Sequence, residues 1–191
     1  MEALLVVDAQ NEFSARGQRP VPNHDAVLAR IMAHVDAARR EGVPIAWVRH
    51  HNRPDESPAF RPGTWGAKLS PGLGPRSGFG PERLFEKDVF GAFTGTGLDA
   101  WLKTVGAGAV RIVGFYAHMC LSTTGREALV RGFAVAVDPD ATASRDLEHP
   151  RLGRLSADEV RRTALMHLAD MGVTLLPASV LAAASPAVAG A

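Results

Sequence analysis

The sequence has one cysteine in 191 residues, almost no excess of charge of either sign, and no long apolar run. Each shortage excludes something. A single thiol cannot close an internal disulfide, and alone it cannot build a thiolate zinc site, which draws on several Cys or His ligands at short spacing. Cys120 is therefore either a small buried hydrophobe or a working thiol. The 21 Lys and Arg against 20 Asp and Glu leave a formal charge of +1. That is too little for a protein that grips nucleic acid through a strongly basic surface. The apolar run Ala3–Val7 stops at Asp8, far short of a signal-peptide core. No stretch approaches the roughly 20 apolar residues of a membrane span. These shortages predict a protein without nucleic-acid or membrane partners, residing in the cytoplasm, where a lone thiol stays reduced.

What is present is a globular composition, 46% hydrophobic, and a length that suits one domain over residues 1–191. Short apolar runs rich in β-branched residues alternate with segments of helical period. Strands are predicted at 3–7, 43–48, 84–87, 109–115, 133–137 and 173–176. Helices are predicted at 25–41, 98–105, 121–131 and 157–171. Gly42 stands where a C′ glycine would close the first helix, and Ser156 with Glu159 forms a capping-box pattern at the last. The Ala-rich tail from 182 has little to pack and is expected to fray. Residues 52–81 are dense in proline and glycine and lack any apolar period, as a lid over a site would. Strand–helix alternation predicts an α/β three-layer sandwich, Rossmann-like, with a mainly parallel six-stranded sheet covered by helices on both faces.

Ligands of such sheets bind beyond the carboxyl ends of the strands. That rule points to three places: Asp8 after the first strand, Arg49–Asn52 after the second and the Tyr116–Cys120 turn after the fourth. Three polar residues could serve one site. Asp8 follows the first strand, as a loop cap or a site carboxylate. Lys87 ends the third, where lysine is ordinarily a solvated surface residue. Cys120 follows the fourth and precedes a helix, whose N-terminal dipole would lower a thiol pKa. Together they make chemical sense. A thiolate attacks a carbonyl carbon, an ammonium favours the thiolate, and a carboxylate carries the proton to a leaving amine.

Longer motifs extend this reading: LLVVDAQNEF (Leu4–Phe13), FRPGTWGAKL (Phe60–Leu69), EKDVFGAFTGTGLDAWL (Glu86–Leu102), GFYAHMCLSTTGREAL (Gly114–Leu129) and GFAVAVDPDATAS (Gly132–Ser144). In this order they resemble the isochorismatase-like cysteine hydrolases, a superfamily that includes nicotinamidases, carbamoyl-amide hydrolases and isochorismatases. The resemblance spans roughly residues 3–177. It implies a catalytic triad of Asp8, Lys87 and Cys120, with Cys120 as nucleophile. It also implies an oxyanion hole from the backbone N–H groups of Tyr116 and Cys120, and a cis peptide at Phe115–Tyr116. Phe13 and Trp65 fall where relatives place aromatic pocket walls. Gln10 either orients substrate or caps its loop, and His118 sits at the pocket edge or serves structure.

The implied activity is hydrolysis of a small amide or carbamoyl-type C–N bond through a thioester, without a cofactor, by a homo-oligomer, dimer or tetramer. Metal-binding nicotinamidases carry Asp-x-His after the second strand. Here Arg49-His50-His51 puts an arginine in the aspartate's place, so no metal is expected. The Tyr116-Ala117-His118 string resembles the isochorismatase branch, which suggests an alternative, vinyl-ether cleavage with Asp8 as acid. That branch lacks a cysteine at the nucleophile position. A further alternative is a non-catalytic binding or redox-sensing protein on the same fold.

Overall fold

The structure is a computed structural model and describes residues 1–177; the tail expected to fray from 182 lies outside them. Six strands form one sheet: β1 (Glu2–Val7), β2 (Ile45–His50), β3 (Glu82–Lys87), β4 (Ala109–Phe115), β5 (Ala134–Ala143) and β8 (Thr174–Leu175). Their order is β3-β2-β1-β4-β5-β8, and every pairing is parallel.

Parallel strands need crossovers. Helices α1 (His24–Glu41), α2 (Leu98–Thr104), α3 (Ser122–Val130) and α4 (Ala157–Asp170) provide four of the five, and residues 51–81 link β2 to β3 without a helix. Strand β1 explains the three layers. All of Ala3–Val7 is buried, yet successive side chains point to opposite faces. Leu4 and Val6 pack with Val27, Ile31, Val35 and Ala38 of α1. Ala3, Leu5 and Val7 pack on the other face with Leu98 and Leu102 of α2, Ala128 of α3 and Leu165 and Leu168 of α4. A continuous apolar run is thus two half-faces serving two cores.

The local stop and start signals operate as expected. Gly42 closes α1 at φ 67°, with its N–H on the last carbonyls, a backbone state glycine enters without steric cost. Ser156 and Glu159 form the reciprocal capping box of α4.

Three elements differ from expectation. Strand β2 runs on to Arg49 and His50, which pair with Glu86 and Lys87 of β3. Polarity hid this end of β2: His50 faces the site, and Arg49 faces a different cleft with Glu86. Strand β5 passes through Pro139, and its pairing with β4 lapses between Val137 and Thr142. The proline occupies that gap, where no ladder donor is needed. A short antiparallel hairpin, β6 (Leu147–His149) with β7 (Gly153–Leu155), precedes α4.

The sheet's order reverses between β1 and β4, so the chain diverges at their carboxyl ends and leaves a crevice. Gly114 opens it. It lies beside Val7 at φ 121°, and a Cβ there would stand 1.8 Å from the Val7 carbonyl oxygen. Gly114→Ala is expected to destabilise the fold by about 3 kcal/mol or more, because backbone rather than a flexible side chain must yield. Urea unfolding checks this; a midpoint unchanged from the unaltered protein would show that β1 and β4 can part there freely.

Candidate active site

Asp8 ends β1 in the left-handed region, at φ 52°. Aspartate tolerates that conformation better than most residues, but it still costs energy, and such strain gathers at functional sites. The turn carries the carboxylate into the crevice, where it is 1% exposed. Lys87, at the end of β3, reaches it from across two strands. Its Nζ lies 2.8 Å from Asp8 Oδ2 and 3.3 Å from Cys120 Sγ, with Val89 O at 3.2 Å and His50 Nδ1 at 3.4 Å. An ammonium has three protons, so four acceptors share them. Asp8 and Lys87 are 79 residues apart in sequence. Asp8 Oδ1 has no hydrogen-bond partner among the described residues.

Cys120 lies in a π-helical turn, Ala117–Leu121, that leads directly into α3. The Tyr116 carbonyl anchors the turn, accepting from the N–H groups of Met119 and Leu121. The expected cis bond is absent: every peptide among the described residues is trans.

The thiol departs from expectation too. Burial first, and then the charge of Asp8, push the Cys120 thiol up, against the downward pull of Lys87. The helix dipole loses because Cys120 is buried, 8% exposed, and desolvation disfavours the thiolate. Burial draws Lys87 down, but Asp8 and Cys120 outweigh it and hold the ammonium above its usual pKa. At rest the site is a protonated thiol beside a Lys–Asp ion pair. Alkylation of Cys120 by iodoacetamide is therefore expected to be slow at pH 7 and still rising above pH 9.0, the ordinary thiol value. A rate that levels off near pH 7 would mean a preformed thiolate.

His50 joins this group from β2. Asn52 Nδ2 donates to Ser57 O, so its Oδ1 faces His50 Nε2 at 2.9 Å as an acceptor. That places the imidazole proton on Nε2 and leaves Nδ1 to accept from Lys87. Burial, then the Lys87 charge, lowers the His50 pKa and keeps the ring neutral.

These residues do not fit a cation. Both nitrogens of His50 are engaged. Arg49 brings positive charge where a carboxylate ligand would stand, and its guanidinium pairs with Glu86. No metal-holding cluster of three His, Cys, Asp or Glu occurs among the described residues.

Above the three groups is a cavity of about 560 Å³, lined by Asp8, His50 and Cys120 on its floor side. Phe13, Phe60, Phe90, Tyr116 and Met119 supply apolar walls, and Gln18, Arg19, Asn52, Arg145 and Asp146 the polar ones. Phe13 is a true wall, its ring packed on those of Phe60, Phe115 and Tyr116 at 4.8–5.2 Å. The Tyr116 hydroxyl donates to Arg19 O, and burial pushes its pKa to about 12.

Three expected pocket residues lie outside the cavity lining. Gln10 is fully buried. Its amide donates to His50 O and Ala67 O and accepts from His50 N, so every part of it braces β2 against the 52–81 segment. Trp65 is 43% exposed, with Arg16 over its ring. His118 bonds Ser144 through Nδ1 and faces a separate cleft with Leu155 and His167; burial lowers its pKa to about 4.

Nor does residues 52–81 hang as a free lid. Asn11 N bonds Lys68 O, Glu12 N bonds Gly66 O, and Ser70 N bonds Ala9 O. The segment clamps the loop after β1 and delivers Asn52 and Phe60 to the cavity. Sequence reasoning missed Phe60 and Arg19, which no local period marks, whereas Asn52 ends the Arg49–Asn52 stretch to which the strand-end rule points. It also missed Arg145, which lies just past the carboxyl end of β5, because the sequence pattern ends that strand at 137.

Among the described residues, no helix is long and apolar enough to cross a membrane. The family model described as Isochorismatase domain matches residues 2–178. The chain is 32% identical over 173 residues to the secreted isochorismatase effector Isc1 of Verticillium dahliae, covering 91% of this chain and 86% of that protein. It is 31% identical to nicotinamidase 3 of Arabidopsis thaliana, covering 87% and 80%. The crystal structure of an isochorismatase from Pseudomonas putida superposes with a TM-score of 0.83 at 31% identity, covering 95% of this chain and 89% of that one. With its parallel sheet, its crevice and this match along nearly the whole length, the chain belongs to the isochorismatase family of hydrolases.

Proposed function

We propose that the protein hydrolyses a small amide or carbamoyl-type C–N bond through a thioester on Cys120. The observation that carries this reading is the contact of Lys87 Nζ with both the Asp8 carboxylate and the Cys120 sulfur at the floor of one cavity. A high thiol pKa suits general-base activation at the moment of attack rather than a standing thiolate. Asp8 takes the thiol proton, with its unpartnered Oδ1 as the receiving atom. Sγ then bonds to the carbonyl carbon.

Negative charge moves to the substrate oxygen, which the N–H groups of Tyr116 and Cys120 receive. The tetrahedral intermediate collapses, the C–N bond breaks, and Asp8 returns the proton to the leaving nitrogen. Water, deprotonated by the same carboxylate, attacks the thioester and frees the acid and the thiol. Throughout, Lys87 offsets the charge passing between Asp8 and Cys120.

The test is ammonia release from a panel of small primary amides and carbamoyl compounds, with acid quenching and mass spectrometry of the Cys120 peptide. An acyl adduct on that peptide is the expected result. Turnover without any adduct, even at the lowest quench times, would remove the thioester from the mechanism.

A further inference from the structure

The cavity wall is not neutral. Of the charged groups lining it, Asp8 is paired with Lys87 at its floor. The Asp146 carboxylate is held by Arg154 at 2.5 Å and by Ala157 N–H at 2.8 Å. Two guanidiniums are left. Arg19 gives Nη2 to Ser57 Oγ at 2.9 Å, and Arg145 gives Nη1 to Asp146 O at 3.2 Å. Those acceptors are neutral, and neither arginine meets a carboxylate among the described residues.

Both arginines line the same cavity, and both fields reach the Tyr116 hydroxyl. They come from opposite ends of the chain. Arg19 is held by its own carbonyl on the Tyr116 hydroxyl and by its N–H on Glu12 O. Arg145 follows Ser144, which is tied to His118. Each guanidinium keeps N–H donors beyond its single neutral contact. Two planar, permanently charged forks in the lining of one cavity, together with the apolar surface of Phe60 and Phe90, form a receptor for an anion on a short apolar body.

We infer that the substrate carries a carboxylate, set against Arg19 and Arg145, at the end remote from the bond that Cys120 cleaves. This rests on the reading of the cavity as the site of amide hydrolysis. The substrate class is then a short ω-carboxylate amide or carbamoyl compound, and a neutral amide of the same length is a poor ligand. The arginines hold the remote charge so that binding energy positions the carbonyl over the thiol.

The test measures binding apart from turnover. Because the chain has one cysteine, protection of Cys120 from iodoacetamide is read by intact mass. The probes are malonamate, succinamate and glutaramate, each against its neutral diamide. At least one amate is expected to protect at concentrations about tenfold or more below its diamide, the scale of charge-assisted hydrogen bonds. Arg145→Gln and Arg19→Gln should each shrink that ratio, Arg145→Lys should keep part of it, and Arg145→Glu should reverse it. Equal protection by amates and diamides, protection by neither, or ratios indifferent to the arginine variants would overturn the inference. Ammonia release is followed separately on the same probes. Selective protection without ammonia would keep the anion site and count against amide hydrolysis, so the two failures stay distinct.

Discussion

Cys120→Ala should lower the hydrolysis of any amide the protein accepts by at least about 10⁴-fold, to a level set by binding alone. The substitution removes one buried sulfur next to Lys87 and Asp8 and leaves the backbone turn intact. Substrate affinity, read by isothermal titration with the alanine variant, should persist. Cys120→Ser keeps the shape but replaces the thiol with a far weaker nucleophile, so it should fall almost as low. Asp8→Asn should also fail, because an amide side chain cannot accept the thiol proton. The pattern across these variants separates mechanisms. Acid cleavage of a vinyl ether needs Asp8 and not Cys120, so activity that survives Cys120→Ala and dies in Asp8→Asn would replace the thioester with acid chemistry. Indifference to both changes would leave the site as a binding pocket.

Lys87→Met is expected to have the largest effect on stability, a loss of about 3–5 kcal/mol. The lysine side chain is fully buried and that of Asp8 nearly so. Removing the ammonium leaves a buried carboxylate without its ion-pair partner. The pair Asp8→Asn/Lys87→Met should regain much of that loss, since both charges are then gone. A coupling of about 2 kcal/mol or more in the double-mutant cycle, measured by urea unfolding, is the expected outcome. Additive losses would mean that the two charges do not depend on one another. Activity should stay absent in all three variants.

The same groups set the alkaline behaviour. Lys87 and Cys120 both have folded pKa values above their ordinary ones, 10.5 and 9.0. Each bound proton therefore stabilises the folded state fully below those values. That contribution is lost as pH rises through the folded values, so unfolding should become easier from pH 9 upward. The slope should flatten in Cys120→Ala.

A good part of this was readable along the chain, and the reasons are local. A strand buried on both faces must be apolar throughout, so Leu4 to Val7 announced itself. Gly42 and the Ser156–Glu159 pair act within a few residues of where they stand. The rule that crevices open at strand ends drew attention to Asp8, to Arg49–Asn52 and to the Tyr116–Cys120 turn before any distance was known, and the family resemblance added Lys87. Roles that depend on distant neighbours were not readable. Gln10 looked like a substrate contact, but its amide is used up by His50 and Ala67, and nothing near it in sequence announces those partners.

The sequence by itself determined the parallel α/β architecture, because period and capping are written within short windows, and its family-like motifs singled out Asp8, Lys87 and Cys120 as candidates. Tertiary structure alone decided the state and surroundings of those side chains. Only the packed crevice raises the thiol pKa that the helix terminus by itself would lower. Only chain crossings tie 52–81 to the loop after β1, send His118 to another cleft and bring Arg19 and Arg145 to one cavity. Desolvation and long-range charge pairing depend on what the folded chain stacks around a group, and no local stretch of sequence contains that information.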